Sequence, residues 1–432
     1  METTTATAPS RLRIAIVGGG IAGLTAAIAL QKHPQVDVQI YERAKEFKEI
    51  GASIGISPNG LRTLEKMGVE SAFNAEVCSR QKSDWPMIFR HWKTGEIIGY
   101  DTHRTVKTKK HFTSRYHRAH LQQALLENVQ SDIVHLNKRF VTASVDPTVG
   151  VILEFADGTT ATADICLGAD GIHSGVRKAF VPHHTLHWTG WVAFRAAFDA
   201  SLVNTVEFPE DAAHWVGHDR TFFHSYLGKG QFTTVGAFNA DPQDPSAPYR
   251  TSQWNEEGSL DVLKEYYKDW HPSVRSLVEA TPYTKVYPNV AGAPLDQWTF
   301  FDRVALLGDA AHTHGGAFAA GGSLAIDDAY CFSLALFYIF PPTATEKPSP
   351  EKLKDVFRLY EATRKSHVDK VLRKVHEVIK DQKKSVERGS TETDDELRER
   401  VRTRFDPWWI SEHDVEAAFW GSVKKLEFIS HL

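Results

Sequence analysis

A chain of 432 residues exceeds what one ordinary core organises, which predicts two domains with room to bury a large cofactor. Its hydrophobic content of 42% and charged content of 24% are ordinary globular values, and a net charge of −4 argues against general attraction to nucleic acid or an anionic membrane surface. Three widely spaced cysteines, Cys78, Cys166 and Cys331, show neither C-x-x-C nor metal-ligand spacing, so a reduced intracellular protein without a metal site is expected.

The first ten residues have no basic start and no apolar core, which predicts no secretory leader and a cytoplasmic location. Arg13 to Val17 reads as a buried strand, Leu24 to Lys32 as a helix ended by His33-Pro34, and Asp37 to Tyr41 as a second strand closing with Glu42. Between strand and helix stands Gly18-Gly-Gly20-Ile-Ala-Gly23. Gly18 allows the tight turn, Gly20 lets a pyrophosphate approach a helix N-terminus, Gly23 packs helix on strand, and Glu42 can bind ribose hydroxyls. The small-residue loop Glu49 to Asn59, with Gly51 and Ala52, reads on its own as a surface loop leading into a short helix, Leu61 to Met67, capped by Gly68. Trp85 to Tyr100 reads as β-structure turning at Lys93-Thr-Gly95. Arg118 opens a helix with Leu121, Ala124 and Leu125 on one face; a cation in a first turn opposes the helix dipole and hints at an anionic partner.

Ile133 to Leu167 reads as a meander turning at Asp157-Gly158, feeding a strand that ends in Asp170-Gly171 with Ser174 and Arg177 downstream. An Asp-Gly pair is also common in hairpin turns. From His187 to Phe238 the composition turns aromatic and β-rich, which predicts the second domain. Alternation puts Arg195 on the face of Trp191 and Ala193, and puts Phe222, His224 and Tyr226 on one face of their own strand. An arginine, a histidine and a tyrosine among aromatics suit a flat anionic ligand, although Tyr and His on sheets also serve as satisfied core residues. Leu260 to Glu279 reads as one helical segment. Val304 to Leu307 is a strand stopped by Gly308-Asp309; the small-residue run Thr313 to Gly322 follows, and a helix starts near Ser323 with Asp327-Asp328 inside it. Tyr330 to Phe340 is apolar but too short for a bilayer, and reads as a buried helix. Glu351 to Lys384 is a long helix, Gln382 to Arg404 a charged, solvated or mobile segment, and Trp408-Trp409-Ile410 packs back.

With Gly18-Gly-Gly20-Ile-Ala-Gly23, Asp170-Gly171 and Gly308-Asp309-Ala-Ala-His312 in that order, the stretch from Arg13 to Lys384 resembles the single-component FAD-dependent aromatic hydroxylases, the group of salicylate and para-hydroxybenzoate hydroxylases. The resemblance implies an α/β fold: a Rossmann-type FAD-binding domain (para-hydroxybenzoate hydroxylase-like) built from residues 1–180 and 291–380, a β-sheet substrate domain over 181–290 to which 81–111 contributes, and C-terminal helices over 381–432. It implies that Gly18, Gly20, Gly23 and Glu42, with neighbouring Arg43, hold the ADP half of FAD. By the same likeness Asp309 binds the ribityl chain, Asp170 serves both FAD and NAD(P)H, and Arg118, Gly51, Ala52, Gly321 and Gly322 lie on the flavin side.

One dinucleotide motif stands alone, so NADPH or NADH would act as a transient cosubstrate that reduces FAD, after which O2 gives a flavin C4a-hydroperoxide that attacks an electron-rich ring. Thr313 to Gly322 departs from the salicylate-hydroxylase pattern, which carries a proline a few residues after the histidine; it looks like the fungal enzymes that hydroxylate and dearomatise acylated resorcinols in tropolone, sorbicillin and azaphilone biosynthesis. That likeness maps substrate-phenolate binding onto Arg195 and Tyr226, with His224 and His314 as weaker additions. The expected partner is therefore a small phenolic substrate, with no nucleic acid, no membrane span, and a homodimer left open. The alternatives are decarboxylating hydroxylation of the salicylate type and a flavin-binding module without turnover; a flavin halogenase lacks support because no Trp-x-Trp-x-Ile-Pro stretch is present.

Overall fold

The computed structural model describes residues 11–47, 52–241, 243–388 and 391–430. A six-stranded sheet carries the strands Thr299–Phe300, Val304–Leu306, Ile165–Gly168, Leu12–Val17, Val36–Tyr41 and Val134–His135 in that spatial order, and every pairing after the first is parallel. Its central strands are apolar runs because the helix Ile21–Leu30 and a three-stranded sheet of Phe140–Asp146, Gly150–Phe155 and Thr160–Ala163 pack against them: Ile14, Ile16, Ile165, Leu167, Val304 and Leu306 are all buried. The helix Ile21–Leu30 begins earlier than its periodicity suggests and is buried along its whole length, so it has no polar face at all. Beside it lies Gly321–Ile339, which packs also on the long helix Pro350–Arg388. Gly321–Ile339 is long and apolar enough to cross a membrane by composition, yet 67% of its apolar window is buried inside the protein, which is the signature of a core helix.

The second sheet has eight strands, and Ile88–His91 and Ile97–Tyr100 pair into it. One of its faces buries Phe194, Trp215, Phe222 and Phe232 with Leu263, Tyr267 and Leu277 of two helices, Leu260–Tyr267 and Pro272–Ala280. The single helix expected from Leu260 to Glu279 is thus broken. Pro272 has no N–H to continue the ladder, and the His271 ring accepts from the Ser273 N–H at 3.2 Å to start the second helix. The other face turns toward a three-stranded sheet of Ser53–Ile56, Ser114–His117 and Cys78–Arg80, where Thr233 Oγ1 donates to Ser53 Oγ at 3.2 Å.

The charged C-terminal stretch is not simply solvated. Asp394–Arg402 is a helix with a capping box between Thr393 and Glu396, and its Leu397 and Val401 are buried against Ile98 and Val216. Beyond it Arg404 pairs with Asp101 and lies 3.9 Å from the Phe89 ring centroid, and Ile410 is buried as expected of the Trp408–Ile410 tail.

Candidate active site

The turn at the start of Ile21–Leu30 is shaped by what side chains would hit. A Cβ on Gly18, whose φ is +105°, would lie 2.5 Å from the Ala169 carbonyl oxygen, and one on Gly23 would lie 1.9 Å from the Gly18 oxygen. At Gly20 a Cβ would meet nothing within 4 Å, so the helix N-terminus is open to a ligand there. Gly23→Ala is therefore expected to yield insoluble or FAD-free protein, whereas Gly20→Ala folds and loses cofactor affinity; thermal unfolding and flavin absorbance of the two purified variants separate these outcomes. Glu42 stands beside the same turn, accepting from Gly19 N at 2.7 Å and Ala44 N at 2.8 Å, while Gln122 donates to the Gly19 oxygen at 3.0 Å. Arg43 is exposed next to it. If Glu42 binds a ribose, Glu42→Ala lowers the FAD bound after purification by about tenfold, the worth of a charge-assisted hydrogen-bond pair; unchanged flavin content would reject that role.

The Gly308-Asp309 turn is held from behind by buried charge. Asp328, in the helix Gly321–Ile339, accepts from Gly308 N at 2.8 Å, contacts His312 Nε2 at 2.6 Å and accepts from Arg364 Nε at 2.8 Å. Burial alone would raise the Asp328 carboxyl, but His312 and Arg364 hold it down at about 2. Asp327 beside it accepts from Asn59 Nδ2 at 2.8 Å and Thr63 Oγ1 at 2.7 Å. Arg177 ties in the second motif, donating to the Asp309 and Ala310 carbonyls at 3.1 and 3.0 Å and to the Ile172 carbonyl at 2.5 Å. The Asp170 carboxylate is spent on its own loop, accepting from Ser174 Oγ, Gly175 N and Val176 N at 2.5, 2.7 and 3.1 Å. Asp170 therefore organises this turn from within.

Between Asp309 and the next helix the chain runs through left-handed backbone at Gly315, Gly316, Phe318 and Ala319, two of them residues that rarely adopt it. His314 is buried; its Nδ1 accepts from Gly316 N at 3.2 Å, which places the proton of the neutral ring on Nε2, an atom with no partner. A Cβ on Gly321 would lie 3.0 Å from that Nε2 and 3.7 Å from Asp309 Oδ1, so His314, Asp309 and Gly321 converge. Gly322 abuts Ile54 and Ile56, which brings the strand after Ala52 to the same place. Of the expected loop, Gly51 lies outside the described residues; the Ala52 carbonyl accepts from Arg118 N at 2.8 Å.

Arg195 reaches this loop from the large sheet. Its guanidinium lies 5.3 Å from the Tyr287 ring centroid, and Nη2 is 3.8 Å from where a Gly316 Cβ would stand. Its Nε is buried without a partner, and among the described residues Arg195 forms no ion pair. Burial lowers its pKa, and the nearby Arg118 charge pushes the same way. The expected grouping of Arg195 with Tyr226 and His224 does not form. Register pairs Arg195 with Val235 and Val235 with Phe223, whereas His224 pairs with Thr234 and Tyr226 with Phe232. His224 and Tyr226 therefore face the helix-covered core with Phe208 and Phe232, on the side of the sheet opposite Arg195. His224 is fully buried with neither ring nitrogen bonded, and burial pushes its pKa down to about 3.

Residues 11–375 match the profile of a family described as FAD binding domain. The chain belongs to that family. It is 28% identical to 6-hydroxynicotinate 3-monooxygenase of Pseudomonas fluorescens over 93% of this chain and 95% of that one, and 27% identical to salicylate hydroxylase of Pseudomonas putida over 94% and 93%. Against 6-methylsalicylate 1-monooxygenase atA of Aspergillus terreus it is 29% identical over 75% and 74%. Its fold matches a salicylate hydroxylase substrate complex with a TM-score of 0.76 at 23% identity, over 96% of this chain and 98% of that one. It matches CtdE in complex with FAD and substrate with a TM-score of 0.78 at 21% identity, over 98% and 100%. The protein is thus an oxidoreductase of the FAD-dependent monooxygenase kind. The residues fit that cofactor: the helix N-terminus is open at Gly20, Glu42 flanks it, and His314 presents a buried donor beside Asp309.

Proposed function

We propose that this protein hydroxylates a small hydroxylated aromatic anion, using NAD(P)H and O2. Arg195 carries the reading: a half-buried guanidinium, its buried Nε without a partner and no carboxylate paired with it among the described residues, beside the loop that follows Asp309, is the group a phenolate or ring carboxylate would neutralise. Bound FAD supplies the electron transfer and oxygen chemistry. Gly18, Gly20, Gly23 and Glu42 would hold its adenosine and phosphate half, and Asp309, Gly321 and His314 its flavin half. Arg195 would orient the substrate anion over Phe223 and Val235, which share its face and keep water from the ring. The His314 Nε2–H would donate to an acceptor at the junction of loop and helix.

A decarboxylating outcome is the better supported. Salicylate, 6-methylsalicylate and 6-hydroxynicotinate, named in the relatives, each join a ring carboxylate to a ring oxygen function, and Arg195 offers one bidentate cation for that anion. With salicylate, one oxygen atom replaces the carboxylate, which leaves as carbon dioxide, while the other leaves as water and NAD(P)H is oxidised. The dearomatising reading has less support, since the Tyr226 ring packs with Phe208 and Phe232 on the face away from Arg195. It keeps one supporting observation, the Thr313–Gly322 loop with no proline and four left-handed residues. Product mass after aerobic incubation of the flavoprotein with NADPH decides. Loss of carbon dioxide with gain of one oxygen from salicylate supports the decarboxylating hydroxylase; gain of one oxygen on an alkylated acyl-resorcinol, with loss of aromatic absorbance and none of salicylate, overturns it in favour of dearomatisation.

A further inference from the structure

A second arginine, the buried Arg115, faces the same side of the large sheet as the half-buried Arg195. It is 5% exposed, and its guanidinium carbon lies 5.8 Å from the centroid of Phe223, the ring two strands from Arg195 in the same row of the large sheet. In the small sheet Arg115 pairs with Gly55, and Ser53, two residues along and on the same face, meets Thr233 of the large sheet. A Cβ on Gly55 would lie 3.9 Å from the Ala319 side chain, so this face also borders the loop that covers Arg195.

Among the described residues one hydrogen bond anchors the Arg115 guanidinium, from Nη2 to the Pro86 carbonyl at 2.5 Å, and no ion pair does. Arg115 lines a cleft of about 320 Å³ with Arg80, Gln81, Asp211, Ser225 and Tyr226, the last residue of its strand. Asp211 accepts from the Lys82 and Ser83 backbone N–H groups and Glu210 pairs with Lys82; Asp211 and Asp101 act on Arg115 through space, neither at ion-pair distance. Arg80 Nε and Gln81 Oε1 are buried without partners. A buried cation without an ion pair among the described residues, beside orphaned polar atoms, suits a ligand anion.

Resting on the hydroxylase reading, we propose that Arg115 determines specificity by binding a second anionic group of the substrate, on the ring edge away from Arg195. Adjacent strands about 4.8 Å apart place the Arg195 and Phe223 Cα atoms about 10 Å from one another, so Arg195 and Arg115, the latter over Phe223, would meet a flat ring on this face from two sides. The substrate class is then an aromatic diacid, or a hydroxy acid bearing a second acidic substituent.

The test compares salicylate with 4-hydroxyisophthalate, which adds one carboxylate para to the hydroxyl. Dissociation constants come from perturbation of the flavin spectrum of the purified holoenzyme without NAD(P)H, and kcat/KM comes from product formation. Wild type is expected to bind the diacid at least tenfold more tightly than salicylate. Arg115→Met should erase that ratio and Arg115→Lys restore part of it, with flavin content and thermal unfolding showing that both variants fold. Equal affinity of wild type for both rings, or a ratio unchanged in folded Arg115→Met, overturns the assignment while leaving hydroxylation of salicylate standing. If neither ring perturbs the flavin or is hydroxylated, both readings fall.

Discussion

Arg195→Met is expected to keep FAD and lose the aromatic substrate. Affinity for salicylate, followed by flavin perturbation, should fall by about a hundredfold, from the 2–5 kcal/mol that removing one partner of a buried, hydrogen-bonded charge pair costs. Methionine approximates the length of the arginine stem but carries no charge. It therefore removes the desolvation burden of a guanidinium whose Nε has no partner, and protein stability should hold or rise. Loss of substrate without loss of fold is what separates a ligand-binding arginine from a structural one. Tyr226→Phe supplies the contrast, because its ring packs at 5.1 Å from Phe232 on the other face of the sheet. The affinity loss at Arg195 should exceed the loss at Tyr226 by at least tenfold. Wild-type affinity in Arg195→Met would remove Arg195 from the site, and equal losses would mean that the face assignment does not govern binding.

That contrast marks where the sequence stops being informative. The alternation within each strand was legible, so Arg195 was rightly set apart from Val192 and Phe194, and Tyr226 rightly joined to Phe222. Which faces coincide is a matter of register between strands, and a slip of one residue turns every side chain over. Nothing local to Trp191–Arg195 or Phe222–Tyr226 encodes it. The glycine turn and the Gly308-Asp309 stop were legible for the opposite reason: their constraint is a steric contact within a short stretch, written as the absence of Cβ at fixed spacing. Arg115 and Arg364 were missed because the residues around them carry no signal. Arg115 sits in the short strand Ser114–His117, and Arg364 stands among many charges in a helix whose polar face reads as solvated. Asp327-Asp328 within an apolar helix was the one available pointer to the second of these, since two acids in a buried helix demand partners. The charged segment after Gln382 misled because two apolar residues four apart, Leu397 and Val401, outweigh their polar neighbours once the sheet edge is there to receive them.

The largest effect on stability is expected at Asp328. Asp328→Asn removes the carboxylate that serves Gly308 N, His312 and Arg364 at once, and leaves the fully buried Arg364 guanidinium with the Leu324 carbonyl at 3.3 Å and no neutralising contact as close. Breaking a buried pair in this way costs about 3–5 kcal/mol. The damage should extend to the cofactor, because the same carboxylate fixes the turn that presents Asp309. The pH dependence carries a definite sign. In the folded protein the carboxyl is held at about 2, below the roughly 4 of an unfolded aspartate, so its stabilisation is complete above pH 4 and is lost as the pH falls toward 2. A depression of that size is worth about 2–3 kcal/mol, the same order as the cost of the substitution. Thermal unfolding of wild type and Asp328→Asn should therefore differ most near pH 7, with the gap closing between pH 4 and pH 2 as wild type loses what the variant never had. A gap that stays constant over that range would mean the aspartate acts through packing alone. Full FAD retention in the variant would mean that the Gly308-Asp309 turn is set by the strand and Arg177 without help from behind.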